Sequence, residues 1–166
     1  MTPALLLYTA IDPALTLLPT DLTDDRARAM LVAIALQESG LKYRRQVRGP
    51  ARGFWQFEQA GGVEGVMRHD KTGKLAWHTA GLLCYEWNPK GIYYALAHND
   101  ILAATFARLL LLTVHAPLPD QGSPDEGWHQ YLSSWRPGRP HREAWDRNFT
   151  IGWDAVLTAH NESQVS

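Results

Sequence analysis

Apolar residues recur at the three- and four-residue spacing of α-helices along most of this chain, and no stretch shows a convincing strand pattern. The clearest helix is predicted for residues 24–40. Thr23 can cap its first turn, two aspartates follow where the helix dipole favours negative charge, and Gly40 suits a left-handed exit. Positions 27, 31 and 34 mark one apolar face, and Glu38 is next on it. The helix is therefore expected to direct a carboxylate inward at its C-terminal end.

Capping residues and apolar runs predict the remaining helices. Asn99 is a good cap for residues 101–114, which are apolar nearly all round and are expected to form the central buried helix. Ser123 begins a capping box with proline at the next position, so a helix is expected from there to about Trp135. The other predicted helices are residues 12–18, 63–67 and 75–87, and the last ones, which contain Trp145, Phe149, Trp153 and Val156.

Length and pattern together define the fold class. A chain of 166 residues suits one domain and is long enough to bury a full core. Residues 53–58 are predicted as an extended strand or a tight loop, and the tail from Asn161 is expected to be loose. The sequence therefore predicts a mostly α, single domain over residues 1–166 with little or no β-structure.

The inward position of Glu38 matters for chemistry. Partial burial and the negative end of the helix dipole both disfavour the charged carboxylate, so both raise its pKa. A carboxylic acid that stays protonated near neutral pH is what a general acid requires. The alternative is a solvated Glu38 at the helix edge, paired with Arg44 or Arg45. We expect both arginines to point away from it.

Composition excludes several classes of protein. A formal net charge of −1 gives no electrostatic reason to expect a nucleic-acid partner. The single cysteine excludes an internal disulfide, and Cys84 is expected to be a small core residue. No metal-ligand spacing is visible among the cysteine and histidines, so no metal and no cofactor are predicted. The seven tryptophans suit both a core and the flat faces of sugar rings.

The N-terminal run is apolar but has no positively charged n-region, and Asp12 and Pro13 interrupt it. We therefore expect neither a signal peptide nor a membrane span. Synthesis in the cytoplasm is expected, with delivery to any external substrate as a phage lysis or virion-associated protein. The oligomeric state is left open.

Three features in order along the chain together resemble a known superfamily. They are Glu38-Ser39 at a helix end, the turn Gly53-Phe54-Trp55-Gln56, and a late helix bearing Tyr131 before a Pro-Gly-Arg turn. This set resembles the lysozyme-like superfamily, and most closely the soluble lytic transglycosylases and goose-type lysozymes. The resemblance covers about residues 24–150.

The resemblance implies a role for each matching residue. Glu38 would be the catalytic acid and base, and Ser39 would orient the substrate or the carboxyl group. Gly53 would allow close approach of the sugar, Gln56 would hydrogen-bond near the cleaved bond, and Tyr131 would lie within reach of Glu38. The partner implied is the glycan strand of peptidoglycan.

This chain departs from the family pattern at two places. Phe54 and Trp55 replace an aliphatic pair, which predicts an added stacking surface for sugar, although core packing is the alternative for Trp55 and Trp135. After Tyr131 the chain has Leu-Ser-Ser where the family has Asn-Ala-Gly. Ser39, Gln56 and Tyr131 also have ordinary structural alternatives as helix-end, turn and core residues.

Most glycosidases use two carboxyl groups. Glu58 is the best candidate for a second acid, and Asp70 is the next. If Glu38 acts alone, the N-acetyl group of N-acetylmuramic acid supplies the other function and a 1,6-anhydro ring results. If water attacks instead, the same site is a lysozyme. A murein-binding module without activity and an unrelated helical binding protein are the remaining hypotheses.

Overall fold

A computed structural model describes residues 1–164 of the chain, with the exception of the Gln164 side chain. The fold is mostly α-helical, as predicted, and forms one domain. Its helices are α1 (Pro3–Leu6), α2 (Asp12–Thr16), α3 (Asp25–Ser39), α4 (Glu64–Arg68), α5 (Gly73–Leu82), α6 (Pro89–Ala95), α7 (Asp100–Leu112), α8 (Pro124–Trp135) and α9 (Arg142–Gln164).

The N-terminal segment is more continuously helical than predicted. A π-helical stretch, Leu7–Ile11, joins α1 to α2, so α2 continues a helical run from Pro3 and has no side-chain cap of its own. Pro13 is tolerated because it falls in the first turn of α2, directly after the π-helical stretch. The Asp12 carboxylate accepts two hydrogen bonds from the Arg28 guanidinium, at 2.8 and 3.0 Å. This pair fixes the N-terminal segment to α3.

Helix α3 occupies nearly the predicted residues and begins one position later than the expected cap implies. Asp24, not Thr23, caps the first turn, because its carboxylate accepts from the backbone N–H of Ala27, whereas the Thr23 hydroxyl donates to Thr20. Gly40 ends the helix in the left-handed conformation, as predicted, with φ +56°. Every residue from Ala29 to Ala35 is buried, so α3 is covered on all sides rather than on one face.

Helix α9 packs along α3 over much of its length. Gly152 makes the closest approach, since a Cβ there would lie 2.4 Å from the carbonyl oxygen of Ala29. Trp145, Phe149 and Val156 of α9 are buried in the core. The last helices predicted from the sequence are therefore one helix. It extends to Gln164, so the expected loose tail is helical from Asn161 to Gln164, and residues 165–166 lie outside the described part.

Helix α7 is the central buried helix, as predicted. The Asn99 side chain accepts from the backbone N–H of Leu102 and caps it. Ten consecutive residues, 102–111, are buried. Arg108 is among them, and its Nε donates to the carbonyl oxygen of Leu22 at 2.8 Å, which satisfies part of a buried cation.

Helix α5 ends earlier than the prediction of residues 75–87. The backbone N–H of Tyr85 donates to Ala80, and Cys84 takes the left-handed conformation with φ +60°, which terminates the helix after Leu82. The prediction that Cys84 is a core residue is wrong, because this turn leaves it exposed. Asn88 then caps α6 through its side chain.

Helix α8 begins with Pro124 in its first turn, as predicted, but the Ser123 side chain makes no capping hydrogen bond. Residues 52–57 form a tight turn rather than a strand. Among residues 1–164 the β-structure consists of two isolated bridges that share Arg52. No individual helix in this part of the chain is long and apolar enough to span a membrane; α6 and α7 pass that test only as a pair bent by 116°.

We predict that Gly152→Ala lowers the free energy of unfolding by about 1–3 kcal/mol, because the new methyl group overlaps the α3 backbone and forces the two helices apart. Gly81→Ala is the matched control. A Cβ at this position in α5 meets no atom within 4 Å, so we expect stabilisation of up to about 1 kcal/mol from helix propensity. Urea denaturation of the two variants measures both effects. Equal stability of Gly152→Ala and the wild type would contradict the close α3–α9 packing.

Candidate functional site

A large groove, with a volume of about 1010 Å³, opens beside the C-terminal end of α3. Its lining comes from the ends of α3, α7 and α8, from the segment that follows each of α3 and α8, and from the region of α4. The polar and aromatic side chains that line it include Gln37, Glu38, Gln56, Glu58, His69, Tyr131, Trp135, Arg136, Arg139 and His141.

Glu38 lies on the groove in the last turn of α3 and is half-buried. The hydroxyl of Tyr131 donates a hydrogen bond to its Oε1 atom, at 2.6 Å. Gly40 ends the helix immediately afterwards, so the carboxyl group lies where unpaired carbonyl oxygens of the helix end concentrate negative charge. The structure therefore brings Glu38 and Tyr131 together, as the resemblance implied.

Burial dominates the acid–base behaviour of Glu38. Removal from water raises the pKa of its carboxyl group to about 7, although the hydrogen bond from Tyr131 lowers this pKa. The negative charge of Glu58 adds a further upward shift. Near neutral pH the carboxyl group therefore exists in both protonated and ionised forms, which is the condition for a group that donates a proton and later accepts one.

The two arginines that could have paired with Glu38 have other partners. The Arg44 guanidinium forms a two-pronged ion pair with Asp100, at 3.0 and 2.6 Å, and covers the ring of Phe54. An Arg45 nitrogen lies 3.2 Å from Nε2 of His98. The prediction that both arginines point away from Glu38 is confirmed, so neither opposes the rise in its pKa.

Aromatic stacking positions Tyr131. Its ring stacks on Trp145, with centroids 5.3 Å apart and planes inclined by 15°, and on Trp135 at 6.3 Å. The residue is only 3% exposed. Burial and the nearby Glu38 raise the pKa of the phenol, so Tyr131 remains a neutral hydrogen-bond donor. The tyrosine is thus both a core residue and a contact of the acid.

The turn from Gly53 to Gln56 is closed by two backbone hydrogen bonds between Arg52 and Phe57, at 2.9 and 2.8 Å. Gln56 has a positive φ of +49°, an uncommon conformation for a residue with a side chain. Its amide nitrogen donates to the carbonyl oxygen of Gly53 at 2.7 Å, and the residue lines the groove. Gln56 therefore reaches the same groove as Glu38, as predicted.

Gly53 was expected to allow close approach of a sugar, but the structure gives a different reason for glycine at this position. Its φ is +72°, and a Cβ would lie 2.6 Å from the carbonyl oxygen of Leu96. The close approach is therefore to the backbone after α6, and Gly53 does not line the groove.

Phe54 and Trp55 do not form a stacking surface for sugar, and for Trp55 the alternative of core packing is confirmed. They are 1% and 0% exposed, and the Trp55 indole donates to the carbonyl oxygen of Leu31 inside the core. The turn folds Trp55 against α3, and the Arg44 guanidinium covers the ring of Phe54. Trp135, which is half-buried, lines the groove instead and donates its indole N–H to the Trp55 carbonyl oxygen.

Ser39 also has a local role. Its hydroxyl donates to the carbonyl oxygen of Ala35 and accepts from the backbone N–H of Leu41, so it helps to end α3 and does not line the groove. Glu58, the candidate second acid, is exposed and does line the groove, whereas Asp70 does not.

Sequence reasoning missed several groove residues. Gln37 donates to the carbonyl oxygen of His141 and accepts from Asn148, and so attaches α3 both to the segment before α9 and to α9 itself. His69, residues 136–139 and His141 also line the groove. The sequence predicts a turn after Trp135, but hydrophobic periodicity does not indicate which helix end that turn will pack against.

Within residues 1–164, no group of three or more histidine, cysteine, aspartate or glutamate side chains is arranged to hold a metal ion. No protein-family model, curated protein or solved structure matches this chain. The fold and the site define a mostly α-helical single domain with a half-buried carboxyl group of raised pKa on a large groove.

We predict that Glu38→Gln stabilises the fold above neutral pH. The folded-state pKa of Glu38 is about 7 and the unfolded value about 4.5, so as pH rises through this window the unfolded chain ionises this carboxyl group while the folded protein still holds the proton, and the wild type loses stability. The amide avoids this cost, and its oxygen can still accept from Tyr131. The variant should gain about 1–3 kcal/mol relative to the wild type between pH 4.5 and pH 8.

Urea unfolding at a series of pH values measures this gain, with Glu126→Gln as the matched control. Glu126 is exposed on α8 and lies outside the groove, so the same chemical change there should not produce this gain. A difference for Glu38→Gln that stays constant between pH 4.5 and pH 8 would contradict the raised pKa of Glu38.

Proposed function

We propose that this protein is a peptidoglycan glycosidase of the lysozyme-like superfamily. It cleaves the β-1,4 bond between N-acetylmuramic acid and N-acetylglucosamine as a lytic transglycosylase that forms 1,6-anhydro ends. The observation that carries the proposal is the Glu38 carboxyl group, which lies on a large groove, has a pKa of about 7, accepts a hydrogen bond from Tyr131 and has no cationic partner among the described residues.

The first step requires a proton donor at the glycosidic oxygen. Protonated Glu38 supplies it: the bond between C1 of the muramic acid and the bridging oxygen breaks, and that oxygen keeps the proton. The carbonyl oxygen of the substrate's own N-acetyl group stabilises the positive charge at C1. The Tyr131 hydrogen bond to Oε1 leaves Oε2 as the atom that carries the proton.

The second step uses the same carboxyl group as a base. Ionised Glu38 takes the proton from the 6-hydroxyl of the muramic acid, and the 6-oxygen forms a bond to C1. The product is the 1,6-anhydro ring, and Glu38 is protonated again. One group can perform both steps because its pKa lies near the working pH, so neither form is strongly disfavoured.

The surroundings of Glu38 support this assignment. Gln56 offers an amide at the groove from a turn with a positive φ, and such conformations are concentrated at functional sites. Trp135 offers a half-buried aromatic surface for a sugar ring. The order of Glu38-Ser39, the Gly53–Gln56 turn and Tyr131 along the chain adds the resemblance to the lytic transglycosylases.

One observation favours a lysozyme-type hydrolase as the second candidate. Glu58 lies on the same groove, and its charge contributes to the raised pKa of Glu38, so a second carboxylate is near enough to interact with the first. An ionised Glu58 could activate water, which would attack C1 in place of the 6-hydroxyl. The product would then have an ordinary reducing end.

We predict that the protein clears suspensions of purified peptidoglycan and that Glu38→Gln lowers the rate at least about 100-fold, because the amide cannot donate a proton. Mass spectrometry of the released muropeptides should show anhydro ends, which are lighter by one water than reducing ends. Glu126→Gln, an exposed carboxyl group changed in the same way, should retain full activity.

Three outcomes contradict parts of the proposal. Reducing ends in place of anhydro ends would assign the hydrolase. Binding of peptidoglycan without cleavage would assign a non-catalytic module. Activity of Glu38→Gln above a tenth of the wild-type rate would remove Glu38 from the acid role.

We predict that Tyr131→Phe moves the alkaline limb of the pH–rate profile to higher pH. In the wild type, kcat/KM should fall as pH rises through about 7, because Glu38 loses the proton that it must donate. The Tyr131 hydrogen bond stabilises the ionised form, so its removal raises the pKa of Glu38 further. Tyr8→Phe, at a residue that is 79% exposed, is the control and should leave the profile unchanged.

A further inference from the structure

Two arginines on the groove differ from most arginines elsewhere in the molecule. The majority of the others contact a carboxylate, a carbonyl oxygen or a histidine. Arg136 makes only a long hydrogen bond, 3.4 Å, from Nε to the carbonyl oxygen of Ser133. Arg139 makes no hydrogen bond or ion pair with any part of the chain that the structure describes, and both residues line the groove. The arginines whose charge is matched by a carboxylate are Arg26, Arg28, Arg44, Arg68 and Arg142.

The backbone at Arg136 is also unusual. It ends α8 in the left-handed conformation, with φ +48° and ψ +52°, at a position where glycine is the common residue. A side chain there carries a conformational cost of about 1 kcal/mol. A glycine, Gly138, lies only two residues later, yet the residue at the strained position beside the groove is an arginine. Positive φ at residues with side chains is enriched at functional sites, and of the five such residues in the described part of the chain two, Gln56 and Arg136, line the groove.

The segment that carries these cations is attached to α3 next to Glu38. Gln37 donates to the carbonyl oxygen of His141 at 2.9 Å and accepts from the Asn148 side chain at 2.8 Å. The first bond attaches the end of the segment 136–141 to the last turn of α3, and the second attaches α9 to the same turn. Because Gln37 precedes Glu38 directly, this basic segment borders the groove close to the end of α3 that carries the acid.

The groove therefore has cations that nothing in the described residues neutralises, on a segment fixed next to an acid. The sugar rings of a glycan strand offer hydroxyl and N-acetyl groups, which need no cation. The peptide stems attached to the lactyl groups of muramic acid carry free carboxylates. A guanidinium matches a carboxylate with two parallel N–H···O bonds.

We propose that Arg139, together with Arg136, binds a carboxylate of the peptide stem and so makes the protein selective for peptide-substituted glycan strands. This inference rests on the proposed function, since it concerns the substrate of the same groove. The sugar is cleaved at Glu38, and the stem attached to it extends over residues 136–139.

The test compares two substrates for each variant. One is soluble glycan strands that retain their stems, and the other is the same strands after an amidase has removed them, so that each muramic acid keeps only its lactyl carboxylate. Arg139→Gln should raise KM for the peptide-bearing strands about 3- to 10-fold with kcat unchanged, as expected for one partly solvated charged contact. KM for the peptide-free strands should be unchanged.

Arg147→Gln is the matched control. Arg147 is exposed on α9, makes no hydrogen bond or ion pair that is resolved in residues 1–164, and lies outside the groove. The same loss of charge there should leave both substrates unaffected. The wild-type preference for peptide-bearing strands should also decrease as salt rises from about 0.05 to 0.5 M, because exposed charges are screened.

Each remaining outcome overturns the inference in a distinguishable way. An equal rise in KM for both substrates would assign Arg139 to the lactyl carboxylate or the sugars. No change for either would remove it from binding. If the wild type cleaves neither substrate, the proposed function fails and this inference fails with it.

Discussion

The packing of α9 along α3 is the constraint on which the rest of the structure depends. Because Gly152 has no side chain, the backbone of α9 packs directly against the backbone of α3. Helix α7 covers another part of α3. A helix buried on all sides cannot shift or rotate without opening the core. The last turn of α3, which carries Gln37 and Glu38, is therefore fixed in position.

The acid–base behaviour of Glu38 depends on the residues around it. Burial raises the pKa of Glu38, and the Tyr131 hydroxyl limits the rise. Tyr131 is in turn held between Trp135 and Trp145 by ring stacking, and Trp145 belongs to α9. The same helix pair thus determines both where the carboxyl group lies and which hydrogen bond it receives. The proposed catalytic step and the proposed stem-binding segment, which Gln37 attaches to α3, depend on one packing arrangement.

Local sequence signals predicted some elements of this fold closely and missed others. Helix α3, its exit at Gly40 and the buried helix α7 were predicted closely, because caps and periodicity are local signals. The end of α5 was missed, since Cys84 gives no local sign that it adopts a positive φ. Phe54 was predicted to add a stacking surface for sugar, whereas Trp55 was left open between sugar stacking and the core. Both are buried, and hydrophobicity alone does not distinguish a ring in the core from a ring in a groove.

The sequence by itself determined a mostly helical single domain and the inward direction of Glu38, because helical periodicity fixes which side chains share a face. Tertiary structure alone decided that Arg44 and Arg45 turn to Asp100 and His98. It also decided that Trp135 rather than Trp55 lines the groove, and that residues 136–139 and His141 border it. These outcomes depend on which loops meet in space. Contacts between segments about one hundred residues apart, such as Glu38 with Tyr131 and Gln37 with His141, leave no periodic trace in the chain.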